Sequence, residues 1–429
     1  MLRFITYLLL IINLNITLPV SAQTSPSSEK KKTAPGDVKV INGSYEHRSN
    51  GTTTIINTDD NGSKYRIIVE GSLSIADDEK SITGLSSGGR FEYSRQQVGE
   101  AEHKVVVKSK NDGQLEGQYW VDDVAKDYAT EGKAWLAQYL PEMITKTGIG
   151  AEARTERLFT EGGAAKVLAF TGSMKGGAGR TKMYRYLLAK ETLTPKDLQT
   201  VMEQLVEVKS SDYELASVLM RVPASALMKP EMATAYLKAA SSIHSDYEKG
   251  RTLKHMLTQE QLPESVLNEV AKSIVTIQSD YEKARVLSVL IARPKISDQQ
   301  FVFAMQALEK IGSDYERAKA LTAVMRHDQQ VKKQFASFMP LIKGIASDYE
   351  KSKVYTKLLT IKGLSADEYV ALLKDSEKIS SDYEKSKLLQ KIAKQMPVED
   401  KDVRQAYIQT AKTISSSNEY EKVTAIYKQ

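Results

Sequence analysis

Cysteine is absent from this chain of 429 residues, which excludes disulfide bonds, thiolate metal ligands and cysteine nucleophiles. Only 5 histidines and 2 tryptophans are present, and no two histidines form the His-Glu-x-x-His pair of a zinc hydrolase. We therefore predict a non-catalytic protein without a metal or cofactor.

An excess of charge of one sign is also missing. The 60 basic and 54 acidic side chains give a formal net charge of +6, and the two signs are interleaved along the chain. A protein that binds nucleic acid usually concentrates its basic residues in a patch or stripe, so we predict no nucleic-acid partner. No segment after residue 22 is apolar enough to cross a bilayer, so we predict no stable membrane insertion of the mature chain.

The chain begins with a candidate secretory signal peptide at residues 1–22. A short basic start precedes a mostly apolar run, which ends in the small-residue cleavage pattern Val20-Ser21-Ala22. An uncleaved membrane anchor is the alternative, although two asparagines interrupt the apolar run. Residues 23–37 are rich in Ser, Lys, Thr and Pro, and we predict a flexible linker there. We therefore predict that the protein is exported and is either periplasmic or secreted.

Residues 38–125 are predicted to form a small antiparallel β domain. Short runs such as Lys64 to Glu70, Arg90 to Ser94 and His103 to Lys108 are rich in the β-branched and aromatic residues that favour strands. Asn-Gly and Asp-Gly dipeptides between the runs favour hairpin turns. A helical period appears within residues 126–146, which we expect to connect the β domain to the rest of the chain.

The tetrad Ser-Asp-Tyr-Glu is the most informative feature of the chain, because it occurs six times at intervals of 34 residues. A fixed period of this size indicates a solenoid, since each unit can bury its apolar face only by stacking on the next. Residues 147–429 are therefore predicted to form an α-solenoid with degenerate first units, six regular units and a drifted last unit. The repeat tyrosines are Tyr213, Tyr247, Tyr281, Tyr315, Tyr349 and Tyr383, with Tyr420 in the drifted copy.

Each tetrad matches a capping box at the start of a helix. In such a box the serine hydroxyl accepts a hydrogen bond from the backbone N–H three residues later, and the glutamate reaches back to the serine N–H. A small residue three positions after each tyrosine and a large one six positions after it share one helix face and are expected to pack there. The predicted capping pairs are Ser211 with Glu214, Ser245 with Glu248, Ser279 with Glu282, Ser313 with Glu316, Ser347 with Glu350, and Ser381 with Glu384.

A second helix is predicted to complete each unit. Its start is marked in different units by Ser297-x-x-Gln300, Ser365-x-x-Glu368 and Thr194-Pro195. The unit has the length of a tetratricopeptide repeat but lacks the Trp-x-x-Leu-Gly-x-x-Tyr signature of that family. We therefore predict an α+β multidomain chain, in which a small antiparallel β domain precedes a tetratricopeptide-like or HEAT-like α-solenoid of helix pairs.

A glycine-rich segment at residues 172–182 superficially resembles a phosphate-binding loop. It lacks the Lys-Ser/Thr pair that must follow the second glycine, and no strand-like run precedes it. We predict a turn between helices instead.

Stacked units would place the Asp, Tyr and Glu side chains of the tetrads in ladders along one edge. In the simpler interpretation, each tyrosine packs between neighbouring units and each acidic residue caps a helix. In the alternative, the tyrosines are the contacts of a ligand-binding strip. We expect the simpler interpretation to hold.

Several segments of the chain resemble a group of uncharacterised bacterial exported repeat proteins. The resemblance is carried by residues 81–92, by Lys-Ala-Trp-Leu at 133–136, by residues 147–154 and by the helices that begin Ser-Asp-Tyr-Glu-Lys. Similar regions follow the membrane domain in some beta-lactam-sensor-type metallopeptidases, but this sequence lacks their His-Glu-x-x-His helix and their multiple membrane spans. The resemblance implies a sensing or docking module in the cell envelope rather than a protease.

We therefore predict a non-catalytic, extracytoplasmic protein-interaction scaffold or sensing module with a protein partner in the envelope. An envelope-directed or glycan-directed enzyme, with the β domain recognising its substrate, is the alternative. A ligand sensor that acts on a membrane regulator is a third interpretation.

Overall fold

The computed structural model describes residues 37–41, 44–49, 51–58, 64–174, 177–259 and 261–427. The predicted signal peptide lies outside these residues, and so does the predicted linker except for its last position. The described chain contains a small antiparallel β region followed by helices in a repeat-like arrangement, as the sequence predicts. Among the described residues, no helix combines the length and the apolar character needed to span a membrane.

Eight strands form one antiparallel sheet in the order β1-β2-β3-β4-β7-β8-β9-β10, and a separate hairpin of β5 and β6 is inserted between β4 and β7. The sheet is thus a meander in which strands adjacent in sequence usually pair. The strands are β1 (Asp37–Ile41), β2 (Ser44–Ser49), β3 (Thr52–Thr58), β4 (Lys64–Glu70), β5 (Leu73–Ile75), β6 (Ile82–Leu85), β7 (Arg90–Gln96), β8 (His103–Ser109), β9 (Leu115–Val121) and β10 (Val124–Lys126).

The register of the sheet aligns a row of apolar side chains across its central strands. The successive partners from β3 to β9 are Ile55, Ile67, Tyr93, Val105 and Tyr119, and all five are buried. Side chains alternate between the two faces of a strand, so this row lies on one face of the sheet. That face needs a cover, because its apolar area would otherwise remain in water.

Helix α1 (Lys133–Thr147), which follows a π-helical turn at Tyr128–Gly132, covers this face. The Trp135 ring lies 5.2 Å from the Tyr93 ring and 5.5 Å from the His103 ring, between ring centroids. The remaining buried contacts of the helix come from Leu136, Leu140, Met143 and Ile144. The connecting helix that the sequence predicts at residues 126–146 is therefore present, although it begins at residue 133.

The β5–β6 hairpin contacts the second helix, α2 (Ala151–Ser173), through an ion pair. The buried Arg154 guanidinium lies 2.5 Å from a Glu79 carboxylate oxygen, and Arg157 lies 3.4 Å from the other oxygen of that carboxylate. The sheet is thus joined to the helices both by the apolar face of α1 and by this polar contact.

From α1 onward, the helices stack in two rows, and each helix packs on the next member of its own row. Row A consists of α1, α3 (Gly177–Leu187), α5 (Asp212–Leu219), α8 (Asp246–Leu257), α10 (Asp280–Ile291), α12 (Asp314–Val324), α15 (Asp348–Leu358), α17 (Asp382–Ala393) and α19 (Ser417–Tyr427). Row B consists of α2, α4 (Pro195–Val206), α7 (Pro230–Ser241), α9 (Glu264–Val275), α11 (Asp298–Glu309), α14 (Phe335–Lys343), α16 (Ala366–Ser376) and α18 (Lys401–Lys412). Two short helices, α6 (Ala224–Leu227) and α13 (Asp328–Lys333), lie in connections from row A to row B.

Row A packs closely because of the small residue three positions after each tetrad tyrosine. A Cβ atom placed on Gly250 of α8 would lie 3.1 Å from the Glu282 carboxylate and 3.3 Å from a Val286 methyl group of α10. The large residues predicted to share this face are fully buried in every tetrad helix: Leu219, Leu253, Leu287, Leu321, Tyr355 and Leu389. Both predictions about this face are confirmed.

The glycine-rich segment is not only a turn, because α3 begins inside it at Gly177. A Cβ atom on Gly177 would lie 2.1 Å from the Lys209 carbonyl oxygen, and one on Gly179 would lie 2.1 Å from the Thr145 carbonyl oxygen. No side chain fits at either position. These two glycines allow the start of α3 to approach neighbouring backbone on two sides.

Candidate functional site: an exposed tyrosine strip

We call the edge of the solenoid at which the tetrad helices of row A begin the N-edge, and the opposite edge the C-edge. All six tetrads lie at the N-edge, and each serine is the N-cap of its helix. Its hydroxyl oxygen accepts a hydrogen bond from the backbone N–H of the tetrad glutamate, at 3.3 to 3.4 Å. This half of the predicted capping box is confirmed.

The other half of the capping box is wrong for the tetrads from the second onward, because the serine N–H has a different partner. In each case it donates to the aspartate carboxylate of the preceding tetrad. The distances are 2.6 Å for Ser245 to Asp212, 2.6 Å for Ser279 to Asp246, 2.8 Å for Ser313 to Asp280, 2.7 Å for Ser347 to Asp314 and 2.8 Å for Ser381 to Asp348. A sixth contact of 2.8 Å joins Ser416 to Asp382.

These six contacts form what we call the aspartate ladder. At four of its junctions the residue before the serine also donates its N–H to the same carboxylate, at 3.0 to 3.1 Å: Gln278, Gly312, Ala346 and Ser415. Hydrogen bonds to a charged group contribute about 1.5–3 kcal/mol each, so the ladder is a strong link between units. The tetrad aspartate therefore caps the next unit rather than its own helix.

The tetrad glutamate turns inward, and in four tetrads it pairs with the cation three residues later. The carboxylate-to-cation distances are 2.8 Å for Glu248 with Arg251, 3.2 Å for Glu282 with Arg285, 3.8 Å for Glu316 with Lys319 and 3.3 Å for Glu350 with Lys353. Each of these pairs lies on one helix, within the solenoid edge. The glutamate thus holds a basic side chain beside the tetrad.

The tetrad tyrosines are exposed, which contradicts the interpretation that they pack between units. Their exposed fractions rise along the array from 44% at Tyr213 to 58% at Tyr383. The part of each tyrosine side chain that stays in water contributes little to the free energy of folding. The second interpretation, a strip of contact residues, is therefore the one that the geometry supports.

Basic side chains lie over the tyrosine rings. The Arg251 guanidinium carbon lies 6.0 Å from the Tyr213 ring centroid and 5.8 Å from that of Tyr247, and Arg285 lies 5.9 Å from Tyr247. Further along, the ammonium groups of Lys319, Lys353 and Lys387 lie 5.6 to 5.9 Å from the tyrosine ring of their own helix. We call this alternation the tyrosine strip, which consists of Tyr213, Tyr247, Tyr281, Tyr315, Tyr349, Tyr383, Arg251, Arg285, Lys319, Lys353 and Lys387.

The drifted seventh copy has a different register from the one predicted. Ser416 rather than Ser417 is the cap, since it accepts from the Glu419 N–H at 3.4 Å and donates its own N–H to the ladder. Asn418 therefore occupies the position of the tetrad tyrosine. Tyr420, which we predicted to be the seventh repeat tyrosine, lies outside the strip.

One pattern typical of a catalytic site was missed in the sequence. Gly84-Leu85-Ser86-Ser87-Gly88 matches the Gly-x-Ser-x-Gly pattern of nucleophile elbows, which requires a strand followed by a helix. Here it begins in the last two residues of β6 and continues into the turn before β7, and the Ser86 hydroxyl accepts a hydrogen bond from the Ser72 N–H at 3.1 Å. Ser86 therefore stabilises the base of the inserted hairpin.

Metal-binding geometry is also missing from the part of the chain that the structure describes, where no three His, Cys, Asp or Glu side chains cluster as ligands. Comparison of the chain with protein-family models, curated proteins and solved structures gives no significant match. The resemblance inferred from sequence motifs therefore stays a prediction.

Proposed function

We propose that this chain is a non-catalytic scaffold that binds a protein partner along the tyrosine strip. The observation that carries the proposal is the exposure of six tyrosines at the same position of six consecutive units. Tyrosine and arginine are enriched among the residues that dominate binding energy at protein interfaces. A tyrosine also loses little conformational entropy on binding, because only two side-chain torsions become fixed.

The position of the strip supports binding rather than stability. The serine caps and the aspartate ladder already satisfy the backbone at the N-edge, and the large residue of each tetrad helix already fills the core. The tyrosines add little to either, yet they recur in every tetrad. A linear array of identical exposed contacts suits a long or repetitive partner, as in other solenoid proteins.

We further propose that the scaffold is exported and acts in the bacterial cell envelope, and that its repeats are of the tetratricopeptide or HEAT type. The candidate signal peptide at residues 1–22, the helix-pair unit and the motif resemblance support these points. Fusion of alkaline phosphatase to the C-terminus tests export, since this enzyme is active only outside the cytoplasm. We expect active fusions with the full chain and inactive ones when residues 1–22 are deleted. Activity that survives the deletion would contradict export by this segment.

Partner binding is tested by placing a photo-crosslinking amino acid at Tyr315 of the full chain in its native host. The captured protein is identified and purified, and its affinity is measured for the unaltered chain and for a variant with all six strip tyrosines changed to alanine. We expect the six-alanine variant to lose binding. Tyr420→Ala is the matched control, because Tyr420 is an exposed row A tyrosine outside the strip, and it should bind as the unaltered chain does. Equal binding by the six-alanine variant would overturn the proposal.

A further inference from the structure

The tyrosine strip has a repeat distance that any chain bound along it must match. Neighbouring row A helices are in contact, and packed helix axes lie about 8–10 Å apart. Because Arg251 lies 6.0 Å from the Tyr213 ring and 5.8 Å from the Tyr247 ring, those two ring centroids are at most about 12 Å apart. A ligand that makes the same contact with each tyrosine therefore repeats at about 8–12 Å.

Polypeptide conformations differ in the distance between residues on the same face. A β-strand presents the same face every second residue, about 7 Å apart, or every fourth, about 13 Å apart. Polyproline II presents it every third residue, about 9 Å apart. An α-helix presents approximately the same face every seventh residue, about 10.5 Å apart. The strip therefore matches polyproline II or a helix with a heptad pattern, but not an extended strand.

The chemistry of the strip discriminates between these two conformations. A helix satisfies its own backbone hydrogen bonds and binds by laying an apolar face into an apolar groove. The strip instead alternates aromatic rings with cations, each of which offers N–H donors. The ion pair of Arg251 with Glu248 uses one terminal nitrogen of the guanidinium, as does that of Arg285 with Glu282, so the other nitrogens remain as donors.

A polyproline II segment is suited to a surface that offers both aromatic rings and N–H donors. It has no internal hydrogen bonds, so its carbonyl groups are free to accept from such donors. Its pyrrolidine rings are recognised by aromatic side chains in other proline-binding proteins. On the basis of the proposed function, we infer that the partner presents a proline-rich segment in the polyproline II conformation, with one residue in every three contacting successive strip tyrosines.

The inference is tested with a fluorescein-labelled peptide of 18 prolines, which has six three-residue turns of about 9 Å and can span the strip. It is titrated into the full chain and binding is followed by fluorescence anisotropy. We expect saturable binding, weakened about fivefold or more when Tyr281 and Tyr315 are both changed to alanine, and lost in the six-alanine variant. Tyr420→Ala should leave the affinity unchanged. A peptide of 9 prolines should bind more weakly, since it reaches about half as many tyrosines.

Two peptides of 18 residues serve as comparisons, a Gly-Ser repeat and an amphipathic heptad helix, and circular dichroism confirms that each variant is folded. Absence of saturable oligoproline binding would overturn the inference, and so would binding that persists in the six-alanine variant or a tighter complex with the heptad helix. The proposed function is tested separately by the captured partner. If that partner requires the strip while oligoproline does not bind, the scaffold function stands and the polyproline inference fails. If neither requires the strip, both fail.

Discussion

The two edges of the solenoid solve the same problem in different ways. Each must satisfy the backbone groups that the ends of the row A helices leave unpaired, which are N–H groups at the N-edge and carbonyl groups at the C-edge. At the N-edge all six junctions that follow a tetrad use one solution, an aspartate carboxylate that accepts from the serine of the next unit at 2.6 to 2.8 Å.

The C-edge uses different residues at different junctions. Arg293 donates to the carbonyl oxygens of Leu257 and Gln259, at 3.1 Å each. At the next junction the His327 Nε2 atom lies 2.8 Å from the Ile291 carbonyl oxygen. Burial lowers the pKa of His255, and the Val222 backbone one unit earlier partly opposes this shift. The short helices α6 and α13 also interrupt this edge.

The contrast between one repeated junction at the N-edge and varied junctions at the C-edge suggests that the uniform N-edge has a role besides stability. Helix termini attract opposite charges at both ends, so stability alone would be served equally well by varied solutions at each. Only the N-edge carries the tyrosine strip, and identical junctions keep successive tyrosines at a constant spacing. If the proposed function is correct, the uniform N-edge keeps the tyrosines in one regular array for a partner, a requirement that the C-edge does not have.

Among substitutions at the two edges, the largest effect is expected from breaking one junction of the aspartate ladder. Asp314 accepts from Ser347 at 2.7 Å and from Ala346 at 3.1 Å, and its replacement by alanine leaves both N–H groups without that partner. We expect Asp314→Ala to lower the free energy of unfolding by about 2–3 kcal/mol, measured by urea denaturation.

Asp367→Ala is the matched control for this substitution. Asp367 lies in the first turn of α16 in row B and is exposed to solvent. Asp367→Ala should lower the free energy of unfolding by about 0.5 kcal/mol, which is the usual contribution of an acidic side chain near the start of a helix. Equal losses for the two variants would show that the ladder contributes only a helix-dipole effect.

A smaller loss is expected at the C-edge from Arg293→Met, which keeps an apolar stem and removes the donors to two carbonyl oxygens. Neutral carbonyl groups near the surface can be rehydrated, so we expect a loss of about 1–2 kcal/mol in the free energy of unfolding. Arg326→Met, at an exposed arginine near the end of α12, should change it by less than about 0.5 kcal/mol. An Arg293→Met loss larger than that of Asp314→Ala would reverse our ranking of the two edges.

The sequence predicts the architecture better than the site, and the reason lies in the range of the contacts. The serine caps and the small and large positions of row A depend on residues within one or two helical turns, so spacing alone identifies them. The aspartate ladder joins residues 33 or 34 apart, such as Asp246 with Ser279, and needs the stacked geometry to appear. Because the aspartate of the preceding unit accepts from the serine N–H, the tetrad glutamate does not, and only the serine-hydroxyl half of the predicted capping box forms.

The tyrosines could not be placed from the sequence for a related reason. An aromatic residue in the first turn of a helix packs inward or outward depending on where the neighbouring unit lies. Alignment of the drifted copy on Tyr420 gives the wrong register, because the structure preserves the Ser-x-x-Glu spacing of Ser416 and Glu419 instead.

Removal of one serine cap should cost less than removal of one ladder aspartate. Ser279→Ala removes the hydroxyl that accepts from the Glu282 N–H, while the Ser279 N–H can still donate to Asp246. We expect a loss of about 1 kcal/mol in the free energy of unfolding, and Ser279→Gly should recover much of it. Ser297→Ala is the comparison, because the Ser297 hydroxyl accepts from the Gln300 N–H and also donates to the Asn268 side-chain oxygen at 3.5 Å, so this substitution removes a second contact. A larger loss for Ser279 than for Ser297 would contradict this account.

The smallest effect on stability is expected at the strip itself. Tyr281 is 56% exposed, so its replacement by alanine opens the site to solvent and leaves no enclosed cavity. Tyr281→Ala should therefore change the free energy of unfolding by less than about 0.5 kcal/mol. Tyr236→Ala in row B provides the contrast: Tyr236 is fully buried and donates to the Thr252 carbonyl oxygen at 3.1 Å, so its loss should cost about 3–5 kcal/mol. A loss above 1.5 kcal/mol for Tyr281→Ala would mean that the strip stabilises the solenoid, and the contrast between a surface for binding and an edge for stability would no longer hold.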